Sequence, residues 1–205
     1  MPIIVNDIDQ NTKEWELLRC EIPTSSQFNK IITSKGKRSA TYEKYARQKA
    51  TEIISKEPTK SYSNSYMQKG HEREDESRQL YCFMHDVEIV QIAFWYLDDK
   101  KMVGGSPDGL IGKNGIWENK NAEGEIQMER IDNGWKNSEH FVQCQGNMWI
   151  GEREWCDLTS YSRGFKPVTK RIYRDEPFIK SLKIEIQLFN EDVQRLVEKY
   201  SIKGI

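Results

Sequence analysis

A chain of 205 residues, 37% apolar and 11% aromatic, has the material for one domain with a substantial core, which excludes a disordered polypeptide. Charged residues reach 31% yet cancel to a net charge of −1, which excludes a uniformly basic nucleic-acid binder but leaves room for a local basic groove. No apolar run approaches a membrane span, and the N-terminal Met-Pro-Ile-Ile-Val-Asn-Asp lacks a charged-then-apolar leader pattern. Cys20, Cys82, Cys144 and Cys156 lack the paired spacing of a zinc site. A single domain over 1–205 is expected, cytoplasmic, with reduced thiols used for packing and no membrane partner.

The first expected helix covers 11–19, with Trp15, Leu18 and Leu17 as its apolar face and Arg19 at its end. Ile22-Pro23-Thr24-Ser25-Ser26 breaks it and puts hydroxyls ahead of a second helix over 27–33, where Phe28, Ile31 and Ile32 recur at helical spacing. Thr24, Ser25 and Ser26 fit two roles, N-capping or, with Arg19 beside them, a phosphate cradle. Across 30–60 nine basic residues stand against three acidic ones, and Lys35-Gly36-Lys37-Arg38-Ser39 reads as a flexible basic loop. Such a run is a solvated face or a contact to a nucleic-acid backbone, and its place just after the hydroxyls favours the second. A helix over 42–55 packs Tyr42, Tyr45, Ala46, Ala50 and Ile53; the polar linker 61–65 leads to another over 66–84. There Glu74 shares a stripe with Gly70, Ser77 and Tyr81. It either faces solvent with Glu72, Asp75 and Glu76 or is presented to a site by close packing at Gly70.

Residues 87–96 form the most strand-like run, rich in β-branched and aromatic side chains, with a turn at 98–101. The stretch 104–120 then concentrates the chemistry. Ser106-Pro107-Asp108-Gly109 is followed by a turn around Gly112, Lys113, Asn114 and Gly115, and by a strand Ile116-Trp117-Glu118-Asn119-Lys120. Alternation along that strand points Glu118 and Lys120 one way, Trp117 and Asn119 the other. Hairpin pairing brings Asp108 to Glu118, so two carboxylates and an ammonium converge, as a hard divalent cation and an activated water require. Taken alone, the pattern fits a surface hairpin with an ordinary ion pair equally well. Beyond it come a linker with Gly124 and Gly134, and a helix over 140–150 packing Phe141, Cys144 or Gln145, Met148 and Trp149, with Gln143 at the margin. Strands at 155–161 and 169–174 and a helix over 178–200 complete the chain.

In order and over nearly the whole length, these blocks resemble the lambda-exonuclease-type (YqaJ-like) viral recombination nucleases, a branch of the restriction-endonuclease-like PD-(D/E)xK superfamily. Trp15-x-x-x-Arg19 with Thr24-Ser25-Ser26 is similar to that family's Trp, Leu-Arg and Thr-Ala-Ser block. Met67-x-x-Gly70-x-x-x-Glu74-x-x-x-Arg78 resembles its helix with a Gly and an acid four later. Ser106-Pro107-Asp108-Gly109-Leu110 reproduces its Ser-Pro-Asp-Gly-Leu, Glu118-Asn119-Lys120 its Glu-x-Lys, and Gln143-Cys144-Gln145-x-x-Met148-Trp149 its Gln-x-Gln helix.

The resemblance implies an α/β fold with a restriction-endonuclease-like core, a central mixed β-sheet flanked by α-helices. It implies Asp108, Glu118, the Asn119 main-chain carbonyl and Glu74 as metal ligands, for Mg2+ with Mn2+ able to substitute and two ions per site. Lys120 would serve the attacking water and the transition-state charge, and Gln143 would orient water or phosphate. Arg19 and Ser26 would bind a 5′-terminal phosphate, with Lys35, Lys37 and Arg38 lining the same pocket. The implied activity is degradation of the 5′-ended strand of double-stranded DNA to mononucleotides by a homotrimeric ring, leaving 3′ single strands for a single-strand annealing protein. A non-processive endonuclease, a catalytically silent DNA-binding protein and a purely structural protein are the competing readings. Two departures stand out. Arg19-Cys20-Glu21 replaces Arg-Leu-Gly, setting a carboxylate near the expected phosphate pocket, and Asn119 replaces a more usual apolar residue.

Overall fold

The computed structural model describes residues 1–59, 65–136, 138 and 140–202, with the side chains of 65–72 excepted. Most of the expected linker, 61–64, and the packing roles read for Met67 and Gly70 lie outside the described residues. The chain enters through β1 (Ile3–Val5) and α1 (Lys13–Arg19), which begins where the Thr12 hydroxyl accepts the Trp15 N–H at 3.2 Å. Leu18 packs inward while Leu17 stands exposed, so α1 buries a narrower face than expected. The α-helix expected over 27–33 is instead a 3-10 helix, Ser25–Lys30. A bridge between Ile32 and Arg38 draws the chain out of helical geometry, yet Phe28, Ile31 and Ile32 are all fully buried. The helices α2 (Tyr42–Ser55) and α3 (Ser65–His85) follow their periodicity.

The run at 87–96 is not one strand. It divides into β2 (Ile89–Val90) and β3 (Phe94–Tyr96), which join different sheets. Between them Gln10 Nε2 binds the Ile92 carbonyl at 2.8 Å, while Trp15 Nε1 and Ser106 Oγ bind the Ala93 carbonyl at 2.9 and 2.6 Å. Carbonyls held by side chains are not offered to a neighbouring strand, and the ladder breaks there. β4 (Gly104–Gly105), β5 (Gly109–Ile111) and β6 (Gly115–Asn121) come next. The expected linker at 124–134 is in fact a helix, α4 (Gly124–Asn133), ended by Gly134 at φ +68°. Its inward residue is Gln127, while Ile126, Met128 and Ile131 face outward, so no core-facing apolar stripe betrays it in the sequence.

The chain closes with α5 (Phe141–Ile150), β7 (Trp155–Tyr161), β8 (Val168–Tyr173) and α6 (Glu176–Tyr200), capped by Asp175 accepting the Phe178 N–H at 2.9 Å. A small sheet runs β1-β3-β4. The central sheet runs β2-β5-β6-β7-β8, with β6 and β7 parallel and the other pairs antiparallel. This is the mixed α/β architecture expected of a restriction-endonuclease-like core. The pleat of β6 divides the interior. Ile116 joins the main core with Met148, Ile150, Leu158, Leu182 and Phe189, and Trp117 packs on the other side with Tyr81 of α3 and Ile111.

Candidate active site

β5 and β6 pair with Gly109 opposite Trp117, which brings the preceding residue, Asp108, level with Glu118. Asp108 Oδ2 accepts the Asn119 N–H at 2.7 Å, and Lys120 Nζ lies 3.2 Å from Glu118 Oε2. The convergence of Asp108, Glu118 and Lys120 is therefore present. Asn119 turns the other way, accepting from Ser77 Oγ of α3 at 2.7 Å and donating to Asn121 at 3.1 Å. That face is polar at Asn119, in keeping with the replacement of an apolar residue there.

α5 closes over the Glu118 face. Gln143 Nε2 donates to Glu118 Oε2 at 2.7 Å, and Asn147 Nδ2 to Glu118 Oε1 at 2.6 Å. Sequence reasoning found Gln143 and missed Asn147. The available signal was spacing, since residues four apart share a helix face.

The third carboxylate comes from α3. Tyr81 packs on Trp117 and Ser77 bonds Asn119, so Glu74, about one turn earlier, is carried toward Asp108 and Lys120. Its acidic neighbours leave in other directions, Asp75 to Arg78 at 2.7 Å and Glu76 to Tyr161 at 3.1 Å. Burial and the Asp108 charge push the Glu74 carboxyl up to about 8, against the pull of Lys120. Glu118, wholly buried, is pushed up to about 8 by burial and Asp108, with Lys120 opposing and Glu74 adding to the rise. Burial would lower the Lys120 ammonium, but Glu118 and Asp108 outweigh it and hold the group above the ordinary lysine value. Three carboxylates facing one ammonium leave an excess of negative charge that a cation relieves.

Among the described residues, no three His, Cys, Asp or Glu side chains form a cation cage by themselves. A site drawing on Asp108 and Glu118, with Glu74 nearby and the remaining places filled by the Asn119 carbonyl and water, fits a hard cation of the Mg2+ type. Such a cation takes one or two carboxylates and keeps much of its water.

Next to this cluster, Arg19 donates from Nη2 to Ser26 Oγ at 2.9 Å and lies 4.0 Å over the Trp15 ring. Burial lowers its pKa from the ordinary arginine value, opposed by Tyr45, Asp108 and Glu118. Thr24 makes no side-chain cap bond to the 3-10 helix; its hydroxyl lies 3.5 Å from that of Ser26. Glu21 sends its carboxylate to Lys56 at 3.3 Å, so the acid introduced in Arg19-Cys20-Glu21 is engaged away from Ser26. Lys35 and Lys37 occupy an exposed loop closed by hydrogen bonds between Thr33 and Lys37. Arg38 is engaged elsewhere, 3.1 Å from Glu185 of α6 and 4.1 Å over Tyr42. The fold thus gathers Asp108, Glu118, Lys120, Glu74, Gln143, Arg19 and Ser26. Of the basic loop, Arg38 is held by Glu185 and Tyr42.

Comparison with known proteins bears on the family and the fold. The model of the YqaJ-like viral recombinase domain matches residues 14–154. A crystal structure of an alkaline exonuclease (LHK-Exo) from Laribacter hongkongensis superposes with a TM-score of 0.81 at 24% identity, covering 92% of this chain and 95% of that one. The same enzyme in complex with dAMP gives 0.82 at 26% identity, with the same coverage. A phage-related exonuclease from Haemophilus somnus 129PT gives 0.65 at 16% identity, covering 88% and 96%. Among curated proteins no sequence matches.

Proposed function

Since the chain belongs to the YqaJ-like viral recombinase domain family and is a DNA exonuclease of that family, we propose that it degrades the 5′-ended strand of duplex DNA with Mg2+, releasing mononucleotides and leaving 3′ single strands. The observation that carries this is Glu118: a wholly buried carboxylate, tied to Lys120, Gln143 and Asn147 while crowded by Asp108 and Glu74. A purely structural hairpin has no need of that crowding.

In this reading Asp108, Glu118 and the Asn119 carbonyl hold the cation, with Glu74 completing the acidic site; Mn2+ can substitute and two ions fit the family pattern. The metal, when bound, polarises the phosphate and acidifies a water. Lys120 keeps its proton and sets a compact positive charge beside the oxygens that gain charge in the transition state. Gln143, already on Glu118, orients the water or the scissile phosphate. Arg19 and Ser26 take the 5′-terminal phosphate, the guanidinium supplying charge-assisted hydrogen bonds without reading a base. The dAMP complex of the Laribacter enzyme supports a mononucleotide product. A homotrimeric ring around DNA, handing its product to a single-strand annealing protein in the host cytoplasm, belongs to the same proposal. The outward Ile126, Met128 and Ile131 of α4 offer apolar surface for self-association.

The test is digestion of a 5′-phosphorylated linear duplex beside a covalently closed circle, with Mg2+. Loss of the linear substrate alone is expected. Cutting of intact circles identifies an endonuclease instead, and hydrolysis of neither overturns the nuclease reading.

A further inference from the structure

Three buried polar atoms are unused by the reaction above. Ser25 Oγ, Trp95 Nε1 and Asn147 Oδ1 have no hydrogen-bond partner among the described residues. They surround one point. A methyl group at residue 105 would stand 2.6 Å from Asn147 Oδ1, 2.7 Å from Ser25 Oγ and 2.9 Å from Trp95 Nε1. That point is one bond length from the Gly105 Cα, so the three side chains pack directly against the glycine. Gly105, by lacking a side chain, lets Asn147 come this close to β4 while its amide reaches Glu118.

The opposite end of the same amide is at Glu118. A carboxylate has about four lone-pair sites. Gln143 and Lys120 occupy Oε2, and Asn147 occupies one site on Oε1. The remaining site is on Oε1, the oxygen that Asn147 holds.

We propose that Asn147 is a positioning residue: held against Gly105 beside Ser25 and Trp95, it orients Glu118 so that a divalent cation is met by one oxygen, Oε1. This rests on the metal-dependent reading of the site.

The test is calorimetric titration of Mn2+ alone into the full chain, with thermal unfolding recorded on each variant. Mn2+ and DNA concentration dependences of hydrolysis run beside it. Asn147→Leu removes the amide at similar volume, and Gly105→Ala sets a methyl 2.6 Å from Asn147 Oδ1, displacing the amide without substituting it or Glu118. The expected result for Asn147→Leu is Mn2+ binding weakened by roughly 10- to 100-fold, the usual range for losing a group that orients a metal ligand. Its KM for DNA should stay unchanged, and rates should recover at high Mn2+. Gly105→Ala should shift the Mn2+ midpoint the same way by less. A merely structural role lowers the unfolding temperature and leaves the midpoint in place. If Asn147→Leu fails to fold, Gly105→Ala carries the test. An unchanged midpoint in every folded variant overturns the role of Asn147, whereas a wild-type chain that binds no Mn2+ overturns the metal site itself.

Discussion

Glu52 of α2 and Glu118 of β6 are both nearly withdrawn from water, at 3% and 0% exposure, yet their carboxyl groups end on opposite sides of the ordinary glutamate value. Burial alone would raise the Glu52 carboxyl. Hydrogen bonds from Lys49 at 2.7 Å and Gln48 at 3.0 Å, with the Glu21 N–H at 3.0 Å, outweigh it and hold the group below the ordinary glutamate value. Glu118 has donors of the same kind, yet burial raises it most and Asp108 and Glu74 add charge that Lys120 does not offset, so its pKa rises. Glu52 is part of a closed scaffold that joins α2 to the turn after α1. Glu118 belongs to a cluster that is incomplete without a cation. Burial of a carboxylate does not by itself mark a site; what marks it is the charge left over after the protein's own partners have been counted.

The contrast breaks most sharply at the lysines. Lys120→Ala should lower hydrolysis by about 100-fold or more, the scale of losing a positioned electrostatic stabiliser, while the chain still folds. Initial rates on end-labelled duplex beside thermal melts check this. Glu52→Ala should do the reverse, leaving the rate per folded molecule unchanged but costing about 3–5 kcal/mol by stranding Lys49 in the interior. Urea unfolding measures that loss, and a Lys49→Met, Glu52→Leu pair should restore most of it.

The two sites should also respond to pH with opposite sign. Because the folded-state pKa of Glu52 is lowered, its contribution is fully present above the ordinary glutamate value of 4.5 and is lost as pH falls below it. Glu74 and Glu118 have raised values, so between 4.5 and about 8 the folded state binds more protons than the unfolded one. The metal-free chain should therefore lose stability as pH rises through that window, and Mg2+ should reverse the loss at its upper end. Unfolding temperatures across the window, with Mg2+ and with chelator, sharpen the comparison.

The smallest effect is expected at Glu21, held at φ +69° beside the scaffold pair. A left-handed conformation costs an L-residue roughly 1–2 kcal/mol, and the exposed bond to Lys56 returns about 0–1 kcal/mol. Glu21→Gly should stabilise the chain by about 0.5 kcal/mol and leave hydrolysis unchanged, as melts and rates together will show.

What was legible in the sequence was local. The placement of Asp108 against Glu118 and Lys120 follows from a short hairpin and a period of two, so it could be read from contiguous residues. The division of 87–96 could not, because Gln10, Trp15 and Ser106 capture its carbonyls from distant parts of the chain. Arg38 stands close in sequence to the expected phosphate pocket, while its ion pair is with Glu185 of the distant last helix, which sequence proximity does not reveal. α4 escaped notice because its apolar side chains point outward. Asn147 lies four residues from a recognised glutamine, but its importance depends on how closely α5 approaches β6, which spacing alone does not reveal. Glu74 lay between these cases: its helix was readable, and its direction was settled by the contacts of Ser77 and Tyr81.

Calorimetric titration of Mg2+ at pH 8, near the raised values of Glu74 and Glu118, into the wild-type chain and Asp108→Asn tests the central claim most directly. The incomplete carboxylate cluster predicts saturable binding with release of protons by the wild type, and its loss in the variant. Equal binding by both chains, or none by the wild type, would contradict a cation site built on Asp108 and Glu118.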